Sequence, residues 1–218
     1  MAKSRIFLVD DHPIMRQGLT ALINQETDLE VCGEAEDASG ALAGIDKTKP
    51  DLAVVDISLK NSNGIELIKD VKIRAPKLPV LVLSMHDESF YAERVLRAGA
   101  MGYVTKAEVS NVIVKGIRKV LAGEVYVSEA LASKMLSRVV GGSSDMKSSP
   151  VSKLSDREFE VFELIGQGLQ TKEIAHRLHL SIKTIDSHRD HIKSKLEIDN
   201  ATDLLKYAIQ WTQFERGN

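Results

Sequence analysis

One cysteine, Cys32, stands in 218 residues, so no disulfide can close within the chain. Its neighbours have the pattern of a strand, and the expectation is a small, buried, apolar side chain without a chemical role. No apolar run reaches the roughly 18 residues that a membrane span needs. The start is basic, but its short apolar stretch ends at two acids, which no secretory signal tolerates. A cytoplasmic protein without membrane contact is expected. Net charge is missing too: 29 basic residues against 31 acidic ones leave -2, so bulk composition gives no sign of nucleic acid binding. No internal repeat is found. Local pattern and local charge have to be read instead.

Short apolar runs at residues 5–9, 29–32, 52–56, 79–84 and 103–106 alternate with helical periodicities at 13–23, 38–47, 65–71, 89–98 and 109–121. Strands that run parallel need crossovers, so this alternation predicts an α/β domain with a five-stranded, doubly wound parallel sheet, flavodoxin-like in plan. It closes near Gly123, giving a first domain of 1–123. Residues 128–140 are read as helical. The stretch from Gly141 to Pro150, rich in Gly and Ser, is read as a flexible linker, so 124–153 is expected to be a helix and linker. Beyond it only helices are predicted, at 155–165, 171–178, 182–196 and 201–211, making 154–218 a small all-α domain.

The run Leu52-Ala53-Val54-Val55-Asp56 reads as a buried strand that delivers a carboxylate to the rim of the sheet. In an open parallel sheet the strand ends lie together, so Asp10 and Asp11 after the first strand should approach Asp56 after the third. Three carboxylates in one pocket raise one another's pKa unless a cation sits among them, and Mg2+ is the hard cation that tolerates oxygen ligands and phosphate. Ser84 and Lys106, from the fourth and fifth strands, add donors suited to phosphoryl oxygens. The inference is a carboxylate nucleophile, Asp56, that attacks phosphorus. Taken singly each has a plain alternative: Asp10 and Asp11 as a helix cap, Lys106 as a surface lysine, Ser84 as a strand-end hydroxyl.

These residues resemble the receiver domain of two-component response regulators, over about residues 4–123. The resemblance implies that Asp56 takes a phosphoryl group from a sensor histidine kinase. It implies Mg2+ on Asp10, Asp11 and Asp56 with the backbone carbonyl of Ser58, phosphoryl binding by Ser84 and Lys106, and a rotamer change at Tyr103. Tyr103 also fits a half-buried strand aromatic. Two positions depart from the family pattern: Ala107 follows Lys106, and Lys60 stands after the acceptor, where relatives tend to carry proline.

In the second domain Ser155-Asp156-Arg157-Glu158 is a capping box. A short helix, a turn at His179-Leu180-Ser181 and a longer helix form the pattern of a helix-turn-helix. On a helical wheel Ile185, Arg189, Ile192 and Leu196 share the core side. The opposite face holds Lys183, Ser187, Asp190 and Ser194, flanked by Thr184, Asp186 and His191, with Arg189 and Lys193 at margins where phosphates lie. A simply solvated face is the plain alternative. Residues 154–196 resemble the LuxR-type helix-turn-helix of the NarL and FixJ group, which implies contacts to double-stranded DNA by Lys183, Thr184, Ser187, His188 and Arg189. Asp186 and Asp190 are unusual there, so modest non-specific affinity and a need for homodimers are expected.

The function expected is a response regulator rather than an enzyme that turns over a separate substrate. Two rivals differ in class: a phosphorylation-independent DNA-binding regulator with a vestigial receiver, and a Mg2+-dependent phosphohydrolase. The second needs an acid two residues beyond Asp56, where Ser58 stands. In relatives of the group the last helix supplies a dimer contact, which exposed Leu205, Ile209 or Trp211 would fit, with ordinary core packing as the plain alternative for each.

Overall fold

A computed structural model describes residues 2–59, 63–85, 88–140 and 150–216. The chain divides into two compact units, Met1–Leu136 and Ser137–Asn218. Lys60 and most of the glycine-serine segment, residues 141–149, lie outside the described residues.

In the first unit five strands alternate with helices: β1 (Ser4–Val9), α1 (Pro13–Asn24), β2 (Leu29–Ala35), α2 (Ala38–Thr48), β3 (Leu52–Asp56), α3 (Gly64–Arg74), β4 (Val80–Ser84), α4 (Glu88–Arg97), β5 (Gly102–Thr105) and α5 (Val109–Leu121). The sheet is entirely parallel, in the order β2-β1-β3-β4-β5. The order reverses at β1, so the crevice at the carboxyl ends of β1 and β3 is the switch point of the doubly wound plan. Helices cover both faces, which is why β3 and β4 are buried along their whole length.

The edge strand β2 is mostly half-exposed, and Cys32 with it, so the expected burial of that thiol is corrected: an edge strand lacks a neighbour on one side. Phe7 explains two glycines beside it. A Cβ on Gly33 or Gly44 would come within 2.6 Å or 2.4 Å of its ring, so the aromatic fills the space those residues leave. Packing of the first unit continues past Gly123. Tyr126 forms an isolated parallel bridge to Gly102, and helix α6 (Glu129–Val140) follows.

The second unit contains a 3-10 turn (Pro150–Lys153), α7 (Asp156–Gly166), α8 (Thr171–Arg177), α9 (Ile182–Leu196) and α10 (Ala201–Arg216). The capping box is present: Ser155 Oγ accepts from the Glu158 N–H, and Glu158 accepts from the Ser155 N–H at 2.7 Å. Gly168 ends α7 with φ +85°, and His179 makes the turn before α9 with φ 52°. Gly166 lets α10 cross closely, since a Cβ there would come within 2.2 Å of Thr212 Oγ1.

Candidate functional site

β1, β3, β4 and β5 end side by side, and their registers carry Asp10, Asp11, Asp56, Ser84 and Lys106 to one rim. Asp56 and Ser84 are 0% exposed and Asp10 is 1% exposed. The backbone fixes them. The Lys106 N–H donates to Ser84 O at 2.7 Å, and the Ile57 N–H donates to Leu83 O, so the chain leaves β3 and β5 in register with β4. Gly64 is required beneath the loop that follows Asp56: a Cβ there would come within 2.4 Å of the Asp56 carbonyl and 2.5 Å of Ile57 Cα.

Asp56 is anchored through both oxygens. Its Oδ1 accepts from the Ser58 N–H at 3.0 Å and its Oδ2 from Lys106 Nζ at 2.7 Å. The same ammonium stands 2.6 Å from Asp10 Oδ2. Burial pushes the Asp56 carboxyl above its usual range, against the pull of Lys106. Burial also acts to lower Lys106, but the charges of Asp56 and Asp10 together outweigh it and hold the ammonium above its ordinary value. Lys106 therefore stays charged between its two carboxylates.

Two buried carboxylate oxygens, Asp10 Oδ2 and Asp11 Oδ1, accept no hydrogen bond. Each has a nitrogen close by, Lys106 Nζ at 2.6 Å and His12 Nδ1 at 2.7 Å, but off the line of a hydrogen bond. One ligand atom from each of Asp10, Asp11, His12 and Asp56 lies within 4.8 Å of the others. Carboxylate oxygens buried and gathered within a few ångströms are the environment of a hard cation. His12 had no place in the sequence reading, although it directly follows the acid pair. Its ring is mostly exposed and it faces both acids.

Tyr103 is 2% exposed, a buried residue rather than a half-buried one. Lys106 and Ala107 are joined by a trans peptide, as no cis bond occurs among the described residues. Without proline, Lys106 is held by its backbone bond to Ser84 and by its two acids.

On α9 the faces follow the wheel. Ile185 and Ile192 are buried, while Lys183, Asp186, Ser187, Asp190, His191 and Ser194 are exposed. Thr184 and Ser187 hold local bonds, to Ser181 and to the Lys183 carbonyl. Lys193 pairs with Asp190 at 3.0 Å, and Arg189 is half-buried. His188 is half-buried as well. Burial lowers its pKa, and the positive charge of Arg157 lowers it further. Trp211 packs edge-on against Phe159 and Phe162, at 5.6 Å and 5.5 Å between ring centres. It is half-buried against the core of this unit. Leu205 is 38% exposed.

Glu158, read only as a cap, does more. Its Oε2 also accepts from Lys195 Nζ of α9 at 2.6 Å, tying the start of α7 to the end of the reading helix.

Comparison with known proteins agrees with both halves. Residues 6–118 match the response regulator receiver domain, and residues 152–208 match the bacterial regulatory proteins of the luxR family. The oxygen regulatory protein NreC of Staphylococcus aureus is 33% identical, over 94% of this chain and 97% of its own. RcsB of Salmonella enterica serovar Typhimurium, solved bound to promoter rprA with phosphomimetic BeF3-, is 28% identical with a TM-score of 0.62, covering 94% of this chain and 98% of that one. RcsB solved as two dimers on two parallel DNAs is 29% identical, with a TM-score of 0.57 over 94% and 97%. Among the described residues no helix is long and apolar enough to cross a membrane.

Proposed function

The chain belongs to the response regulators of the NarL and FixJ type, which join a receiver domain to a LuxR-type DNA-binding domain, and on that premise we propose that Asp56 is its phosphoryl acceptor. The observation that carries this reading is the bonding of Asp56. It is a fully buried carboxylate at a strand end, aimed by the Ser58 N–H and Lys106, beside the buried acids Asp10 and Asp11. The donor is a sensor histidine kinase. A carboxylate oxygen of Asp56 attacks the phosphorus, the donor nitrogen leaves, and an acyl phosphate remains.

Lys106 holds Asp56 before the reaction and neutralises phosphoryl oxygens after it, with the Ser84 hydroxyl as a second donor. Asp10, Asp11, Asp56 and the Ser58 carbonyl would hold Mg2+, which supplies charge neutralisation during transfer. Tyr103 follows Ser84 and Lys106 as the switch aromatic. The protein turns over no separate substrate. Its position beyond Asp56 offers Ser58 where a phosphohydrolase needs an acid.

The output is sequence-specific binding of double-stranded DNA by a homodimer in the cytoplasm. Lys183, Thr184, Asp186, Ser187 and Asp190 form the central reading face, with Arg189 and Lys193 at the phosphate margin. His188, half-buried beside them, is a further DNA contact. The test is labelling by a small phosphodonor such as phosphoramidate, with and without Mg2+. Asp56→Ala is expected to abolish the label, and persistent label on that variant overturns the assignment.

A further inference from the structure

Residues 125–128 pass the open edge of β5, and Tyr126 is bonded there on both sides of Gly102. The Tyr126 N–H donates to Met101 O at 2.9 Å, and Tyr126 O accepts from the Tyr103 N–H at 2.8 Å. The start of the edge strand is thereby bridged without a sixth strand. Next along, the Ser128 N–H donates to the Glu88 carboxylate at the start of α4, at 2.8 Å. Ser128 then begins α6: its Oγ accepts from the Leu131 N–H and its carbonyl from the Ala132 N–H.

Two glycines make room for this path. A Cβ on Gly102 would come within 2.8 Å of the Tyr126 carbonyl oxygen, and one on Gly116 of α5 within 3.1 Å of the Tyr126 ring. The ring therefore lies against bare backbone of α5, its carbonyl on bare backbone of β5. Burial, then the charges of Glu108 and Glu88, push the Tyr126 phenol up, consistent with a ring seated between the starts of α5 and α4.

We infer that residues 125–128 are a strap, with Tyr126 its positioning residue, that transmits the state of the β5 edge beside Tyr103 and Lys106 to helix α6. The inference rests on the proposed phosphoryl switch at Asp56. Tyr103 donates its backbone N–H to the strap and is three residues from Lys106, so a shift of β5 moves the Tyr126 carbonyl directly. Glu88 gives the strap a second anchor on α4, and a relative movement of β5 and α4 cannot leave both bonds unchanged. α6 is fixed to the strap by its own N-cap, and turns with it.

The test is hydrogen exchange of the full chain, read by mass spectrometry, with Mg2+ and phosphoramidate. In the wild type, label on Asp56 is expected to alter exchange in peptides covering 101–105, 124–128 and 129–136 together. Tyr126→Ala is expected to keep phosphoryl uptake within about twofold while the change at 129–136 falls by about tenfold, the range of typical site coupling. Glu88→Ala, which removes one exposed anchor and spares the core, is expected to weaken the same change and serves where Tyr126→Ala does not fold. Labelled wild type with an unaltered strap and α6 overturns this inference alone. Wild type without label overturns both it and the switch.

Discussion

Lys106 Nζ stands 2.7 Å from Asp56 Oδ2 and 2.6 Å from Asp10 Oδ2, so one buried ammonium serves two acids that arrive on different strands. Each acid alone would be penalised by burial, and each makes the other worse. The lysine relieves both, and a bound cation would share that task.

Lys106→Ala leaves the acids without that partner. In Mg2+-free buffer near neutral pH the first unit is expected to lose on the order of 3 kcal/mol, the usual cost of breaking a buried pair from one side. Urea unfolding followed by circular dichroism checks this, and added Mg2+ should restore part of the loss. A variant as stable as the wild type without metal contradicts the pairing.

Asp11→Asn removes one charge from the cluster while keeping the side chain's shape. Titration calorimetry should show Mg2+ affinity falling at least about tenfold, because a hard cation depends on ligand charge. Equal affinity would place the cation elsewhere.

The net pKa of Glu158 is lowered: burial raises it, and bonds from Lys195 and Ser155 outweigh that. An acid with a depressed native pKa stabilises the fold above its unfolded value and loses that contribution as pH falls through the native one. The second unit should therefore weaken below the ordinary glutamate range, and Glu158→Gln should flatten the profile. The effect is about 1 kcal/mol or less, since Lys195 is 40% exposed and screened. Trp211, the chain's single tryptophan, is packed on Phe159 and Phe162, so its fluorescence reports this unit during unfolding of the full chain.

Asp190 holds Lys193 at 3.0 Å on the surface of α9. Asp190→Asn should free that cation, tighten non-specific DNA binding and steepen its salt dependence by about one unit of slope. Lys183→Ala should shift both in the opposite direction. Gel-shift titrations across salt concentrations measure the two, and identical slopes would remove these residues from the interface.

Much of this molecule is legible in one dimension. Asp56 closes an unbroken apolar run, Ser155 and Glu158 stand at capping-box spacing, and Ile185 and Ile192 recur at helical period. Each signal lies within a few residues, where hydrogen bonding and periodicity act. The sheet, its four acid- or donor-bearing strand ends and the helical second unit follow from such local patterns. Other features do not. That Trp211 packs on Phe159 and Phe162 and that Glu158 reaches Lys195 depend on how helices cross, and no local spacing encodes a crossing.

The sequence by itself therefore determined which side chains reach the rim, because strand period and turn chemistry place each at an end. Only the tertiary structure decided their partners. Asp10, Asp56 and Lys106 come from three segments, and the distances among them are set by sheet order and register rather than by separation along the chain. The same is true of Tyr126, which looked like the start of a linker and instead completes the edge of β5, because Gly102 and Gly116 leave it room.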